Sequence, residues 1–423
     1  MSRRINLEYS SYELSNGLKV YVQPDHRSPV ISYQTWVGAG SANDPSHRTG
    51  MAHLFEHLMF KGTQRMPEGE FDRRIEEMGG RTNAATWLDW TQFYVDTPSR
   101  CFETVLGLEF DRIANLTIDP ESLETEREVI LNERGERVDD DPDGLMAERL
   151  WHMAFGDHPY GQPTIGWQEH IESITVQDCH DFYRSWYRPE QIMIVVAGDI
   201  EPDIAFRAID DTYSQLERRQ DTVPDLTDPV HPKHHKSDKV AITTGGERVL
   251  IGLQAPPGTE ADSPTLEVLN EILFAGDSSH MERTLVTESE VAAAVYGFVP
   301  TLCKASLYEV GIDCRPGRTA NEALAIFDGV LEEVSLNGLT EKDLLKARNR
   351  IETRLYRELQ TAQSRAQALG YWGVVAGNPG HIFERAERLG QVGLDDLHSS
   401  INRYLQQGAR VVVQGTPVGG EAQ

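Results

Sequence analysis

The chain lacks any apolar run approaching the roughly 20 residues that a helix needs to span a bilayer, so we expect no membrane partner. Its first six residues contain two arginines but no apolar segment, and we therefore expect no signal peptide there. Cysteine is scarce, and its copies are scattered without a Cys-x-x-Cys pair: Cys101, Cys179, Cys303 and Cys314. This usage is typical of a reducing compartment, so we expect a cytoplasmic protein.

Basic residues are also few. Lysine and arginine number 40 against 67 aspartates and glutamates, which gives a formal net charge of −27 at pH 7. So acidic a chain repels phosphate groups, which argues against nucleic acid or an anionic membrane surface as a partner. The length of 423 residues exceeds what one hydrophobic core usually serves, so it predicts two or more domains.

The segment His53-Leu54-Phe55-Glu56-His57 carries the strongest chemical signal. On a helix, His53 and His57 lie one turn apart on the same face, with Glu56 beside them. Two neutral imidazoles in that arrangement are suited to one Zn²⁺ ion, and the carboxylate is placed to take a proton from an attacking water. The order His-x-x-Glu-His is that of one class of zinc peptidases.

The surroundings of this motif predict a buried helix. Its other residues are apolar on nearly all sides, Thr49 and Gly50 offer an N-cap, and Gly62 offers a stop. The alternative is a core helix whose histidines are only hydrogen-bonded. Burying two imidazoles and a carboxylate without a partner is costly, and a metal ion removes that cost. We therefore favour the zinc interpretation.

A catalytic zinc site needs a third protein ligand, and an acidic segment at 119–134 supplies candidates. Pro120 is typical of the first turn of a helix. Glu126, Ile130 and Glu133 follow at positions i, i+4 and i+7, and the apolar residue among them suggests that this stripe faces inward. A solvated acidic face explains the same pattern in so acidic a chain. Periodicity alone does not single out Glu133.

The eleven residues that begin at His53 resemble the signature of the pitrilysin-type zinc peptidases, and the likeness extends over essentially the whole chain. In that family the third ligand is a glutamate within a Glu-Arg-x-Val-Ile-x-x-Glu-like segment. Glu133 ends such a segment 76 residues after His57. The resemblance therefore implies His53, His57 and Glu133 as the ligands of one zinc ion per chain. It also implies Glu56 as the catalytic base and Glu126 as a second acid that supports the site.

A second segment also resembles this family. Gly79 and Gly80 predict a turn, and the stretch 81–95 is rich in Thr, Trp, Phe and Tyr, which predicts a strand. In similar enzymes this is the edge strand beside the zinc, on which an extended peptide pairs. The resemblance implies Asn83 and Ala84 as substrate contacts. From the residues alone, an ordinary strand fits nearly as well.

The chain repeats its pattern at a fixed offset. A predicted strand that reaches Val37 has a counterpart that reaches Gln254, and Gly198 has a counterpart in Gly415, both 217 residues later. A shared offset predicts two copies of one unit. Together with the resemblance, it predicts an α+β fold of two homologous domains, each a mostly antiparallel β-sheet flanked by α-helices.

The predicted domain boundaries follow from this repeat. We expect a zinc-binding catalytic domain at 1–218, a linker at 219–239 and a homologous second domain at 240–423. The linker is predicted because its sequence is proline-rich and polar. Its three histidines have no ordered spacing, so we favour a solvated linker over a metal site there: His231, His234 and His235.

The second copy carries no counterpart of the zinc motif, because the offset leads to Asn270, Leu273 and Phe274. In the family this half supplies an arginine and a tyrosine seven residues apart. Val286 and Ala293 stand at those places here. The resemblance therefore implies a heterodimer in which a homologous subunit supplies the arginine and the tyrosine, with a homodimer as the alternative.

These observations predict a zinc metalloendopeptidase that hydrolyses peptides or unfolded segments in an enclosed chamber, as the catalytic subunit of a dimer. The alternative is a non-catalytic scaffold subunit derived from such a peptidase. A scaffold has no need for the complete set of ligands and base, and here the set is complete. A zinc-dependent hydrolase of small molecules is disfavoured by the predicted peptide-binding strand.

Overall fold

A computed structural model describes residues 7–219, 223, 225–406 and 409–418. The described strands form two sheets. The first sheet contains β1 (Ser10–Glu13), β2 (Lys19–Pro24), β3 (Val30–Val37), β4 (Arg81–Thr86), β5 (Thr91–Pro98) and β6 (Ile192–Gly198). The second sheet contains β7 (Lys236–Ile242), β8 (Arg248–Ala255), β9 (Ala292–Phe298), β10 (Ser306–Cys314) and β11 (Val411–Pro417).

Helices occupy most of the remaining described chain. They are α1 (Met51–Leu58), α2 (Glu70–Glu77), α3 (Phe102–Asn115), α4 (Pro120–Arg134), α5 (Pro142–Phe155), α6 (Gln168–Ser173), α7 (Val176–Trp186), α8 (Pro202–Tyr213), α9 (Ser263–Phe274), α10 (Ala320–Asn337), α11 (Glu341–Glu358), α12 (Ala362–Val375), α13 (His381–Gln391) and α14 (Leu394–Ser400). Single-turn 3₁₀ segments lie at Ser41–Asn43, Ser99–Cys101, Pro159–Gly161 and Pro189–Gln191. π-Helical segments lie at Gly135–Asp139, Glu282–Glu288 and Ile401–Gln406.

The chain folds into two compact units, each assembled from separate segments. The first comprises Met1–Asn132, Pro163–Thr227 and Tyr356–Phe383, and the second comprises Glu133–Gln162, Asp228–Leu355 and Glu384–Gln423. Helix α12, from the second half of the chain, thus belongs to the first unit, and α5, from the first half, belongs to the second. The continuous domain boundaries expected from the sequence stay a prediction.

In the first unit, the sheet has the order β1-β2-β6-β3-β5-β4, and among the described strands of this sheet only the β2–β6 pair is parallel. Every residue of β6 is buried, because both faces of this central strand are covered. Ile194 and Val196 point into the main core, whereas Met193 and Val195 pack towards Leu369 of α12. A strand covered on both faces requires the unbroken apolar sequence that β6 has.

In the second unit, the sheet has the order β7-β11-β8-β10-β9, and again a single pair, β7–β11, is parallel within the described part of the chain. Helix α5 packs closely on this sheet. A side chain at Gly252 would come within 3.3 Å of Leu150, and one at Gly415 within 2.7 Å of Met146. Glycine at these two strand positions permits the close approach of the helix.

The predicted α+β class with mostly antiparallel sheets is confirmed. No helix in the ranges described above is both long and apolar enough to cross a membrane. Residues 220–222 and 224 of the predicted linker lie outside the described residues, and β7 begins within that linker at Lys236. His231 packs against Phe155 with ring centroids 5.3 Å apart, and burial lowers its pKa to about 4. The polar composition of the segment did not predict this packing.

Candidate metal centre

Helix α1 presents His53, Glu56 and His57 on one face and apolar side chains on the others. The apolar residues between and directly after them lie in the core of the first unit: Leu54, Phe55 and Leu58. Because these side chains must face the core, the polar ones share the remaining face. The ring centroids of the two histidines are 4.8 Å apart. The buried helix predicted for this segment is therefore present, with its polar residues on one side.

The N-terminus of α1 is held by a carboxylate outside the helix. Asp44 accepts hydrogen bonds from the backbone N–H groups of Gly50 and Ala52 at 2.7 and 2.8 Å. Gly50 occupies the predicted N-cap position, but Thr49 provides no cap, because its hydroxyl pairs with the ring of His170 at 2.9 Å. Sequence reasoning missed Asp44, whose only local signal is an acid shortly before a helix.

The structure brings His53, His57 and Glu133 together. One ligand atom from each residue lies within 4.8 Å of the other two, and all three side chains are at least partly buried. Two imidazole nitrogens and a carboxylate oxygen form a donor set that zinc accepts in catalytic sites, with one position left for water or substrate. These residues therefore fit a zinc ion.

Helix α4 carries Glu126 and Glu133 two turns apart. Ile130, between them, is fully buried and Glu126 is only 7 % exposed, so this stripe faces inward as the sequence suggested. The division between the two units falls after Asn132, inside the last turn of α4. Glu133 is therefore held by a helix that begins in the first unit. Its carboxylate also forms an ion pair with Arg137 at 2.9 Å.

Glu126 bridges His57 and Lys61. Its Oε2 atom lies 3.0 Å from Nδ1 of His57, and its Oε1 atom lies 3.0 Å from Nζ of Lys61. A hydrogen bond at Nδ1 leaves Nε2 of the ring for a metal. Burial raises the pKa of Glu126, but the bonds from His57 and Lys61 outweigh it and hold that pKa below its usual value. Sequence reasoning placed Lys61 within the motif but assigned it no contact.

The candidate substrate contacts Asn83 and Ala84 lie on β4, at an edge of the first sheet and next to α1. Neighbouring residues of a strand point to opposite faces of the sheet. Asn83 is exposed, whereas Ala84 is half-buried and packs against the core of the first unit. The two side chains therefore cannot contact a ligand from the same face.

The backbone of β4 has a free edge. Trp87, just after the strand, donates its N–H to the carbonyl of Trp90, so its backbone faces β5. Backbone direction alternates along an antiparallel strand. The N–H and C=O groups of Thr82, Ala84 and Thr86 consequently point away from β5. No other described strand pairs on that side, so this edge is suited to an added strand.

The second unit has no metal set at the places that the repeat predicts. Asn270 lies on α9 and accepts a hydrogen bond from the hydroxyl of Tyr308 at 3.0 Å. Leu273 and Phe274 are buried apolar residues of the same helix. Leu273 and Phe274 are apolar and Asn270 has a hydrogen-bond partner, so none of the three side chains needs a metal ion.

Val286 lies in the π-helical segment of the second unit, and Ala293 is exposed on β9. The nearest arginine and tyrosine in sequence are engaged elsewhere. Arg283 pairs with Glu288 at 3.4 Å, and the ring of Tyr296 lies over Gly311 of the neighbouring strand. Neither residue stands at the position that the family pattern requires.

Comparisons with known proteins agree with the motif. Residues 19–167 match the family described as Insulinase (Peptidase family M16), and residues 173–351 match the one described as Peptidase M16 inactive domain. The chain is 26 % identical over 343 residues to a Helicobacter pylori protein named Zinc protease PqqE, covering 80 % of this chain and 77 % of that protein. It is 22 % identical over 411 residues to an Arabidopsis thaliana protein named Probable mitochondrial-processing peptidase subunit beta, mitochondrial. The match covers 93 % of this chain and 75 % of that protein.

The fold has a close match among solved structures. A structure of a protease from Helicobacter pylori superposes with a TM-score of 0.93 at 23 % sequence identity, covering 97 % of this chain and 99 % of that one. At this identity the likeness shows the fold alone. The two matched family models, together with the His-x-x-Glu-His motif, show the family: the chain belongs to peptidase family M16, the pitrilysin-type zinc peptidases.

Proposed function

We propose that this chain is a zinc metalloendopeptidase that hydrolyses peptides or unfolded segments. The observation that carries this proposal is the convergence of His53, His57 and Glu133, with Glu56 on the same helix face as the two histidines. An acid beside three metal ligands is the arrangement that peptide hydrolysis by zinc requires.

The chain's own residues divide the chemistry among them. A zinc ion held at this centre supplies electrophilic activation of the scissile carbonyl and of the attacking water. Glu56 accepts the proton of that water and passes it to the leaving nitrogen. Glu126 orients the ring of His57 through the hydrogen bond at Nδ1, 3.0 Å long. Such supporting contacts typically change metal affinity or activity by about 10–100-fold.

The substrate is an extended peptide that adds to the free edge of β4. Main-chain hydrogen bonds to the backbone of Ala84 would provide affinity, and the side chains on either face would select sequence. Asn83 would contact the substrate from the exposed face. Binding of this kind requires a segment without its own secondary structure, so folded domains are poor substrates.

Assembly and location complete the proposal. Because Val286 and Ala293 stand where the family places an arginine and a tyrosine, we infer that a homologous subunit supplies that pair within a shared chamber. The relative named as a subunit beta supports pairing of chains in this family. Four free cysteines suit the reducing cytoplasm.

A non-catalytic scaffold is the second candidate. The match of residues 173–351 to a family described as inactive favours it for that part of the chain. Helices α1 and α4 argue against a scaffold for the whole protein, because they carry the ligand set, the base and the supporting Glu126.

Substitution of Glu56 tests the role of the catalytic base separately from the roles of the metal ligands. Glu56→Gln removes the proton acceptor but no ligand, so the variant is expected to bind about one zinc per chain, as the wild type does. Its peptide turnover is expected to fall at least about 100-fold. Glu121→Gln, on the exposed side of α4, is the matched control and should change neither quantity. A wild-type protein without zinc, or Glu56→Gln cleaving at the wild-type rate, would contradict the proposal.

A further inference from the structure

Lys61 is a nearly buried cation next to the candidate metal centre, and it has no role in the zinc chemistry proposed above. Its side chain is 9 % exposed, and its ammonium group lies 3.0 Å from Oε1 of Glu126. Its second partner is Glu68, whose side chain is 64 % exposed. Water can replace Lys61 as the hydrogen-bond partner of the exposed Glu68 carboxylate. The side chain of Glu126 is only 9 % exposed, so its carboxylate has little access to water. The contact with Glu126 is therefore the one that water does not readily replace.

The backbone after α1 fixes where Lys61 stands. Gly62 adopts a φ of +102°, a conformation that favours glycine, and turns the chain sharply. The carbonyl of Gly62 accepts the N–H of Thr117 at 3.2 Å, and Thr63 pairs with Leu116 in an isolated β-bridge. These contacts attach the end of α1 to the loop that leads into α4. The ammonium group is thereby held at the carboxylate of the opposite helix.

Both oxygens of Glu126 are used, one by each donor. Oε2 is hydrogen-bonded to the ring of His57, and Oε1 forms an ion pair with the ammonium group of Lys61. The carboxylate therefore cannot rotate without losing one of these contacts. A charge-assisted hydrogen bond is stronger and more directional than a neutral one. Without the ammonium group, Oε1 would be left in a poorly solvated place, and the carboxylate would gain by rotating towards water.

We propose that Lys61 is a positioning residue, which locks the carboxylate of Glu126 against Nδ1 of His57 and so sets the orientation of a metal-binding imidazole. This inference rests on the proposed zinc site. The ammonium group of Lys61 has ion pairs with Glu126 and Glu68, and of these two only Glu126 contacts a candidate ligand, so its effect on His57 is expected to pass through Glu126.

The experiment measures zinc affinity by competition with a chromogenic chelator, and unfolding of the metal-free protein by denaturant. Lys61→Met is expected to weaken zinc binding about 10-fold and to lower kcat at nearly constant KM. Lys61→Arg keeps the charge and is expected to recover most of the affinity. Glu68→Gln removes only the exposed partner, and Lys19→Met removes an exposed lysine of β2; both should bind zinc as the wild type does.

A double-mutant cycle tests the route through Glu126. If Lys61 acts by positioning that carboxylate, adding Lys61→Met to Glu126→Gln should weaken zinc binding no further. Additive losses would overturn the inference, as would Lys61→Met binding zinc with wild-type affinity. If Lys61→Met does not fold, Lys61→Gln carries the same comparison. A wild-type protein that binds zinc but cleaves no peptide, either alone or with the homologous subunit, would overturn the proposed function while leaving this affinity test intact.

Discussion

The carboxyl group of Asp44 lies 2.7 Å from the backbone nitrogen of Gly50, so the helix that carries the two candidate histidine ligands is anchored from outside itself. The first N–H groups of any helix have no partner within it. The side-chain oxygens of Asp44 satisfy those of Gly50 and Ala52 by accepting their hydrogen bonds. Asp44 thereby fixes the start of α1, one turn before His53.

Removing this anchor should loosen the metal site. Asp44→Ala leaves the first N–H groups of α1 without a cap and is expected to lower the free energy of unfolding by about 1–2 kcal/mol. The measurement is denaturant unfolding of the metal-free protein. Asp211→Ala, at an exposed position near the end of α8, is the matched control. An unchanged unfolding midpoint for Asp44→Ala would show that the cap is not needed.

The ligands on α1 were predictable because their spacing is local. Residues at i, i+3 and i+4 of a helix share a face whatever surrounds them. Glu133 was different, because several glutamates of α4 share its environment in sequence. Only resemblance singled it out, and the structure then placed it beside the two histidines. The α+β class was also predictable, from the repeated strands together with the resemblance to the family.

Contacts between distant segments could not be predicted in this way. Lys61 reaches Glu126, and Asp44 reaches Gly50, only after the loops have folded, and no periodicity records either contact. The inclusion of α12 in the first unit and of α5 in the second is also a feature of the tertiary structure. The packing of α12 on one face of the first sheet explains why β6 is apolar on both faces.

A buried ion pair supports the same core. Arg112 donates to Glu109 at 2.7 Å, and the two side chains are 1 % and 0 % exposed. The guanidinium group also lies over the rings of Phe60, Phe71 and Phe93 at 4.5 to 5.2 Å from their centroids. Phe60 lies two residues after the end of α1, so this arginine links the end of that helix to the core.

Breaking this pair should be costly. Arg112→Met leaves the charge of Glu109 buried without its partner and is expected to lower the free energy of unfolding by about 3–5 kcal/mol. Adding Glu109→Gln removes the unpaired charge and should recover part of that loss. Denaturant unfolding of both variants provides the comparison. A double variant that is less stable than Arg112→Met would contradict this explanation.

Stability of the second unit should depend on pH through Glu309. Burial raises the pKa of Glu309 to about 7, and the hydrogen bond from the indole of Trp151, 3.0 Å long, opposes that rise only in part. Between about pH 5 and 7 the folded state therefore keeps a proton that the unfolded chain releases. The free energy of unfolding should fall as pH rises through this window, by about 1 kcal/mol per pH unit, and the loss should end above pH 7.

Glu309→Gln provides the comparison, because its side chain is neutral at every pH. Unfolding curves followed by tryptophan fluorescence at a series of pH values would show a shallower decline for the variant. Parallel pH profiles for the two proteins would mean that Glu309 does not titrate in this range.

Strand addition at β4 predicts a pattern with period two in the substrate. A peptide paired to the groups of Ala84 directs alternate N–H groups towards β4 and the others away. N-methylation at positions facing β4 should raise KM at least about 10-fold, because each methyl group removes a donor and blocks close approach. Methylation at the intervening positions should have little effect. A scan of singly methylated peptides tests this, and uniform cleavage along the scan would contradict the pairing.

The last prediction concerns assembly and follows from Val286 and Ala293. In the family, the arginine and tyrosine at these places hold the substrate carbonyl and stabilise the charge that develops on it. A valine and an alanine donate no hydrogen bond from their side chains. Loss of one such donor typically costs about 100- to 1,000-fold in kcat. The chain alone should therefore bind zinc fully and cleave peptides slowly.

A homologous subunit that has the arginine and tyrosine but lacks His-x-x-Glu-His should restore the rate. We expect kcat to rise at least about 100-fold when the two chains are mixed, with zinc content per copy of this chain unchanged. The specific control is the partner with its arginine changed to alanine, which should still bind this chain but give little activation. If the chain instead forms an active homodimer that uses other hydrogen-bond donors for the substrate carbonyl, we expect the opposite result. In that case the pure chain would be fully active, and addition of the partner would leave its rate constant.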